Sequence, residues 1–89
     1  MSVTDLVENP VTVRAFPNPF NQLTNFEVIG VADKYNFELI DITGRVVSKL
    51  SSIATSHFQI NREGLLAGVY IYRIYTENQP VAYGKLVIE

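Results

Sequence analysis

Apolar and polar positions alternate with a period of two along most of this chain, and no stretch carries the 3.6-residue period of an amphipathic helix. The clearest run is Val69-Tyr-Ile-Tyr-Arg-Ile-Tyr-Thr76, rich in β-branched and aromatic residues. Tyr70, Tyr72 and Ile74 share one face of that strand, and Val69, Ile71, Arg73 and Tyr75 share the other. Arg73 implies that its face meets water, so Tyr70, Tyr72 and Ile74 are expected in the core. The other face is still largely apolar, which fits a central strand or a surface that meets a partner. The same period predicts strands over residues 11–16, 25–30, 35–40, 45–50, 56–61 and 81–88, with Phe26, Val28, Tyr35, Phe37, Leu39, Phe58 and Ile60 facing inward.

Turn chemistry separates these runs. Pro17 and Pro19 flank Asn18. Each proline lacks an N–H and pushes its predecessor to an extended conformation, so the first strand stops there at a rigid corner. Residues 31–34 form a turn. Asp41-Ile-Thr-Gly44 is a tight turn, in which Asp41 accepts a hydrogen bond from the backbone N–H two residues on and Gly44 takes a positive φ. Residues 51–55 read as a loop, residues 62–68 as a glycine-bounded turn, and residues 77–80 as a hairpin loop. Seven short strands with regular turns predict an all-β fold, an antiparallel β-sandwich of two sheets. Tyr70 follows a turn at the start of the penultimate strand. That is the place of the tyrosine corner of Ig-like sandwiches, where the hydroxyl bonds back to the preceding loop. Leu65 or Leu66 would plug the core beneath it.

Length and composition narrow the picture further. Eighty-nine residues make one domain, read as a flexible linker over residues 1–10 and a sandwich over residues 11–89. An apolar content of 47% allows a core without cross-links, and the absence of cysteine removes disulfides, thiolate metal sites and a cysteine nucleophile. The net charge of −2 and the scattered lysines and arginines argue against nucleic acid as a partner. No apolar run approaches the ~20 residues that span a bilayer. Residues 1–10 are polar, carry Asp5 and Glu8, and do not form a signal peptide, so Met1-Ser2 reads as the start of a piece of a longer protein.

Candidate chemistry is sparse. His57, the single histidine, lies out of phase with Phe58 and Ile60 and reads as a solvent-facing strand residue. Ser51 and Ser52 lack any sign of an oriented base and read as loop serines. The carboxylates are dispersed, and a small sandwich offers no evident cleft for a glycosidase pair. Asp41-Ile-Thr-Gly44 lacks the alternating carboxylates of a calcium loop. Gly64, Gly68 and Gly84 precede no helix and form no phosphate loop. The residues therefore describe a non-catalytic domain with no metal and no cofactor. Exposed tyrosines, Tyr75 and Tyr83 foremost, could alternatively form a carbohydrate-binding platform.

Four motifs in order carry a resemblance. Phe16-Pro-Asn-Pro19, Leu39-Ile-Asp-Ile-Thr-Gly-Arg-Val-Val47, Leu66-Ala-Gly-Val-Tyr-Ile-Tyr-Arg-Ile74 and Gly84-Lys-Leu-Val-Ile88 together resemble the C-terminal sorting domain of the type IX secretion system of Bacteroidota. Its motif residues here are Pro17, Asn18, Pro19, Asp41, Gly44, Leu66, Gly68 and Tyr70. The resemblance implies an Ig-like sandwich that addresses N-terminal cargo domains of the same protein for export. The protein would pass through the periplasm to the cell surface or the medium. Its implied partners are the outer-membrane translocon, a shuttle protein and a sortase. It also implies recognition through the final strand, Tyr83, Gly84, Lys85, Leu86, Val87 and Ile88, and cleavage within residues 1–10. The family often finishes in basic residues, whereas this chain finishes Ile88-Glu89 with Lys85 as the nearest cation. The Pro-Asn-Pro-Phe-Asn and Asp-Ile-Thr-Gly-Arg segments are also similar to the Ig-like domain of flagellar hook-capping proteins, which implies a structural or adhesive module instead.

Overall fold

The computed structural model describes residues 11–77 and 79–89. The linker expected over residues 1–10 and Asn78 of the expected hairpin loop lie outside the described residues. Seven strands follow one another: β1 (Thr12–Phe16), β2 (Leu23–Ile29), β3 (Tyr35–Ile40), β4 (Val46–Ile53), β5 (His57–Asn61), β6 (Gly68–Tyr75) and β7 (Pro80–Ile88). They form two antiparallel sheets, one ordered β1-β2-β5 and the other β4-β3-β6-β7. The predicted sandwich is therefore present.

Several strand ends shift by one to three residues from the sequence expectation, and two of the shifts have a visible cause. Strand β4 runs on through Ser51, Ser52 and Ile53, which were expected in a loop. It can do so because bulges interrupt its pairing with β3, and the Asn36 side chain accepts the Ser52 N–H at 2.9 Å. Pro80, expected in the hairpin loop, begins β7, at an edge position where proline has no ladder bond to lose.

The alternating pattern fixes the core. Phe26, Phe37, Leu39, Ile74 and Leu86 are fully buried, and Tyr70 and Tyr72 are buried beside them. Phe26 is the centre of an aromatic cluster. Its ring stacks on Phe58 at 5.0 Å and meets Phe37 and Tyr72 edge-on at 5.1 and 5.0 Å, geometries that complement the ring quadrupoles. The cluster joins the two sheets, because Phe26 and Phe58 are cross-strand neighbours in one and Phe37 and Tyr72 belong to the other.

Candidate functional site: the last strand and its latch

Strand β7 lies at an edge of the four-stranded sheet, paired on one side with β6 from Gly68↔Ile88 to Tyr75↔Pro80. Its side chains divide by parity. Leu86 and Ile88 are buried in the core, and Gly84 also faces inward. A Cβ on Gly84 would sit 2.6–2.9 Å from the phenol of Tyr72, so only glycine lets that ring cross the strand. Tyr83, Lys85 and Val87 face outward, with Tyr83 74% exposed. Of the six residues expected to carry recognition, the folded domain thus offers three side chains to a partner. Gly84, Leu86 and Ile88 serve the core.

The free side of β7 is partly covered by the segment joining β1 and β2. Phe20 donates its N–H to the Val87 carbonyl at 3.0 Å and accepts the Glu89 N–H at 2.8 Å, a parallel bridge to the end of the strand. Two residues earlier, the Asn18 side chain donates to the Lys85 carbonyl and accepts the Val87 N–H, both at 3.0 Å. An asparagine amide carries the same donor and acceptor as a peptide unit, so Asn18 stands in for one further residue of a paired strand. The chain bends over residues 17–19, the corner that the two prolines predict. Phe20 is 1% exposed and fills the core at this corner. Thr24, fully buried, donates its hydroxyl to the Pro17 carbonyl at 2.7 Å and ties the same segment to β2.

Arg62 closes the corner from the other sheet. Its Nε donates to the Leu65 carbonyl at 2.9 Å, and one terminal nitrogen donates to the Glu89 carbonyl at 2.6 Å and to Asn21 Oδ1 at 3.2 Å. One guanidinium so binds the β5–β6 turn, the latch segment and the end of β7. Sequence reasoning did not single out Arg62 or Thr24. Arg62 stands between a strand and a turn, and although Leu65 is near in sequence, its other partners Asn21 and Glu89 are 41 and 27 residues away and become visible only when the segments meet.

The tyrosine corner adjoins this site. Tyr70 donates its hydroxyl to the Leu66 carbonyl at 2.7 Å. Of the two candidate plugs, Leu65 packs on the core while the Leu66 side chain is 80% exposed, so Leu66 contributes its backbone and not its side chain. Gly68 has φ near 154° and begins β6, and Gly44 closes the β3–β4 turn with φ near 92°. In that turn Asp41 Oδ1 accepts the Thr43 N–H at 2.9 Å, the Thr43 hydroxyl at 2.6 Å and the Arg45 N–H at 3.1 Å. The Thr43 hydroxyl bond and the two backbone bonds hold the Asp41 carboxyl below its ordinary pKa of 3.8.

The outer face of the four-stranded sheet carries two cross-strand rows, Lys49–Glu38–Arg73–Tyr83 and Val46–Ile40–Ile71–Lys85. Glu38 is only 7% exposed although it faces outward, because Arg73, Lys49 and Tyr75 close over it. Arg73 donates to one carboxylate oxygen and the Tyr75 hydroxyl to the other. Desolvation raises the Glu38 pKa, but the bonds from Arg73 and Tyr75 and the nearby cations outweigh it, and the net shift is downward. Tyr75 is pushed upward by its own desolvation and by this carboxylate. With the Arg73 guanidinium over its ring at 5.2 Å, Tyr75 is committed to this cluster and does not extend the exposed Tyr83 into a flat aromatic platform.

The opposite end of the sandwich differs from the sequence expectation in holding a cleft, an open one of about 770 Å³ lined by Val11, Asp33, Lys34, Ser52 and Glu77 among others. Among the described residues no three histidine, aspartate or glutamate side chains gather in a way that would hold a metal ion. His57 is exposed on the three-stranded sheet, 3.3 Å from Glu27, which also pairs with Arg14.

Comparisons with known proteins cover nearly the whole of the described domain. Residues 14–89 match the family described as secretion system C-terminal sorting domain. A solved structure of PorZ is similar to the chain at a TM-score of 0.71 and 19% identity. PorZ is described as an essential bacterial surface component of the type-IX secretion system of Porphyromonas gingivalis. The match covers 99% of this chain and 12% of that one, and at this identity it establishes a shared fold. No curated protein matches the sequence.

Proposed function

We propose that this chain, which belongs to the family of secretion system C-terminal sorting domains, is the non-catalytic address of a larger protein exported through the type IX secretion system. The family match over residues 14–89 carries this reading. The fold supports it in one respect: a strand presented at a sheet edge, with its inner residues locked in the core, is a rigid feature that a receptor can read. On this reading the partners are an outer-membrane translocon and its shuttle protein. The cargo lies N-terminal to residue 11, and a sortase cuts within residues 1–10. The destination is the cell surface or the medium, reached through the periplasm.

The experiment is a reporter fused ahead of Val11, behind an ordinary export signal, in a type IX-competent cell and in the same cell lacking its translocon. Surface reporter in the first strain and periplasmic reporter in the second is expected. Equal surface display with and without residues 11–89 would overturn the reading. Deleting residues 83–89 is a poor substitute, because it also removes Leu86 and Ile88 from the core.

A further inference from the structure

The hydrogen bonds on the free edge of β7 follow a repeat. Backbone groups of an antiparallel strand point alternately toward and away from the neighbouring strand. Val87 directs both its N–H and its carbonyl away from β6, since Asn18 and Phe20 take them. By parity Lys85 and Tyr83 do the same. Each place on this edge is a carbonyl followed two residues later by an N–H. Val87 carbonyl and Glu89 N–H hold the Phe20 backbone, and Lys85 carbonyl and Val87 N–H hold the Asn18 side chain. The next place, Tyr83 carbonyl and Lys85 N–H, has no partner among the described residues, and neither has the Tyr83 N–H beyond it.

We propose that this open place is where a receptor docks, by adding an extended segment of its own chain to the edge of β7 beside Tyr83 and Lys85. The inference rests on the sorting reading above and gives it a mode of recognition. The added strand continues the ladder that Phe20 and Asn18 begin and stops at Asn18, which sets its register. Main-chain bonds supply the attachment and side chains set the preference, as in other strand additions. The preference is legible in the rows it would extend. Lys85 is exposed and has no carboxylate partner among the described residues, so the position beside it suits an acidic residue. Tyr83, at the end of the row that begins at Lys49, suits an aliphatic or aromatic one. A second copy of this chain fits less well. Two such edges would meet over residues 81–85 only, far short of the roughly 1,200 Å² that stable pairs bury.

The test uses the reporter fusion with two changes at one position. Tyr83→Thr removes the ring and keeps the N–H. Tyr83→Pro removes the N–H, which no internal bond needs. Thr is expected to retain surface reporter within about threefold of the original, and Pro to lower it at least tenfold, with the purified Pro variant still melting cooperatively. Should the Pro variant fail to fold, Lys85→Thr and Lys85→Pro ask the same question of the next outward N–H. Equal display by the Pro and Thr variants overturns strand addition, and so does loss in both, which assigns recognition to the side chain. A sedimentation experiment in which the chain is a dimer and Tyr83→Pro a monomer assigns the edge to a second copy and also overturns the proposal. Failure of the unaltered fusion to leave the periplasm instead overturns the sorting reading.

Discussion

The two ends of this sandwich are built differently. At one end the Pro17–Phe20 segment, the β5–β6 turn and the last residues of β7 converge, and Asn18, Thr24, Arg62 and Tyr70 bind them with side-chain hydrogen bonds to backbone. At the other end residues 30–34 with Ser52, Thr76, Glu77 and Gln79 line an open cleft, and the ties there include the Tyr35 hydroxyl donating to the Thr55 carbonyl at 2.6 Å and the Ser52 N–H donating to the Asn36 side chain at 2.9 Å. The closed end secures the lower half of β7 and leaves the Tyr83 edge open just above it. Order on the free edge of β7 therefore comes from contacts far away in sequence, because β6 meets only half of its ladder.

The comparison breaks most readily at Phe20. Phe20→Ala removes a core ring from the closed end and should cost about 3–5 kcal/mol. Val31→Ala, at the half-buried rim of the open end, should cost about 1 kcal/mol, and urea unfolding measures both. If the two losses are equal, the closed end holds no special share of the stability.

Gly84→Val comes next. Its side chain meets the Tyr72 phenol, and overpacking of this kind costs about 1–3 kcal/mol. Tyr72→Leu in the same chain should recover part of the loss, and a double-mutant cycle measures the coupling. Additivity of the two changes would show that Gly84 is not there to admit that ring.

Tyr70→Phe keeps the corner's packing and deletes its bond to Leu66, a loss of about 0.5–1.5 kcal/mol. Thermal melts of this variant beside Tyr35→Phe compare one tie at each end. A larger loss from Tyr35 would reverse the ranking of the two ends.

The smallest expected effect is on pH, and it belongs to Glu38 in the four-stranded sheet and to Asp41 in the β3–β4 turn. The folded pKa values of Glu38 and Asp41 lie below their ordinary 4.5 and 3.8. Each carboxylate then adds stability that is complete above its unfolded pKa and is lost as pH falls through the folded one. The melting temperature should drop progressively below about pH 5. Glu38→Gln should flatten that drop, with the remainder belonging to Asp41. A pH profile unchanged by the substitution would assign the slope elsewhere.

Much of this was legible in the sequence for local reasons. Tyr35, Phe37, Leu39, Tyr70, Tyr72 and Ile74 were placed inside by alternation alone, since a strand turns every second side chain to the same face. Asp41 was read as a turn cap because its acceptor and the N–H it needs lie two residues apart. The continuation of β4 through Ser52 was not legible, because its support is Asn36 on the neighbouring strand.

For the last strand, the sequence by itself determined that it is a strand, that its inward and outward residues alternate, and that two prolines stop β1 before it can pair further. Only the tertiary structure decided what Asn18 does, why residue 84 is glycine, and that Arg62 reaches Glu89. Asn18 and Lys85 are 67 residues apart. A side-chain amide reveals what it can donate and accept from its chemistry alone, but which distant backbone it meets is set by how the two sheets close.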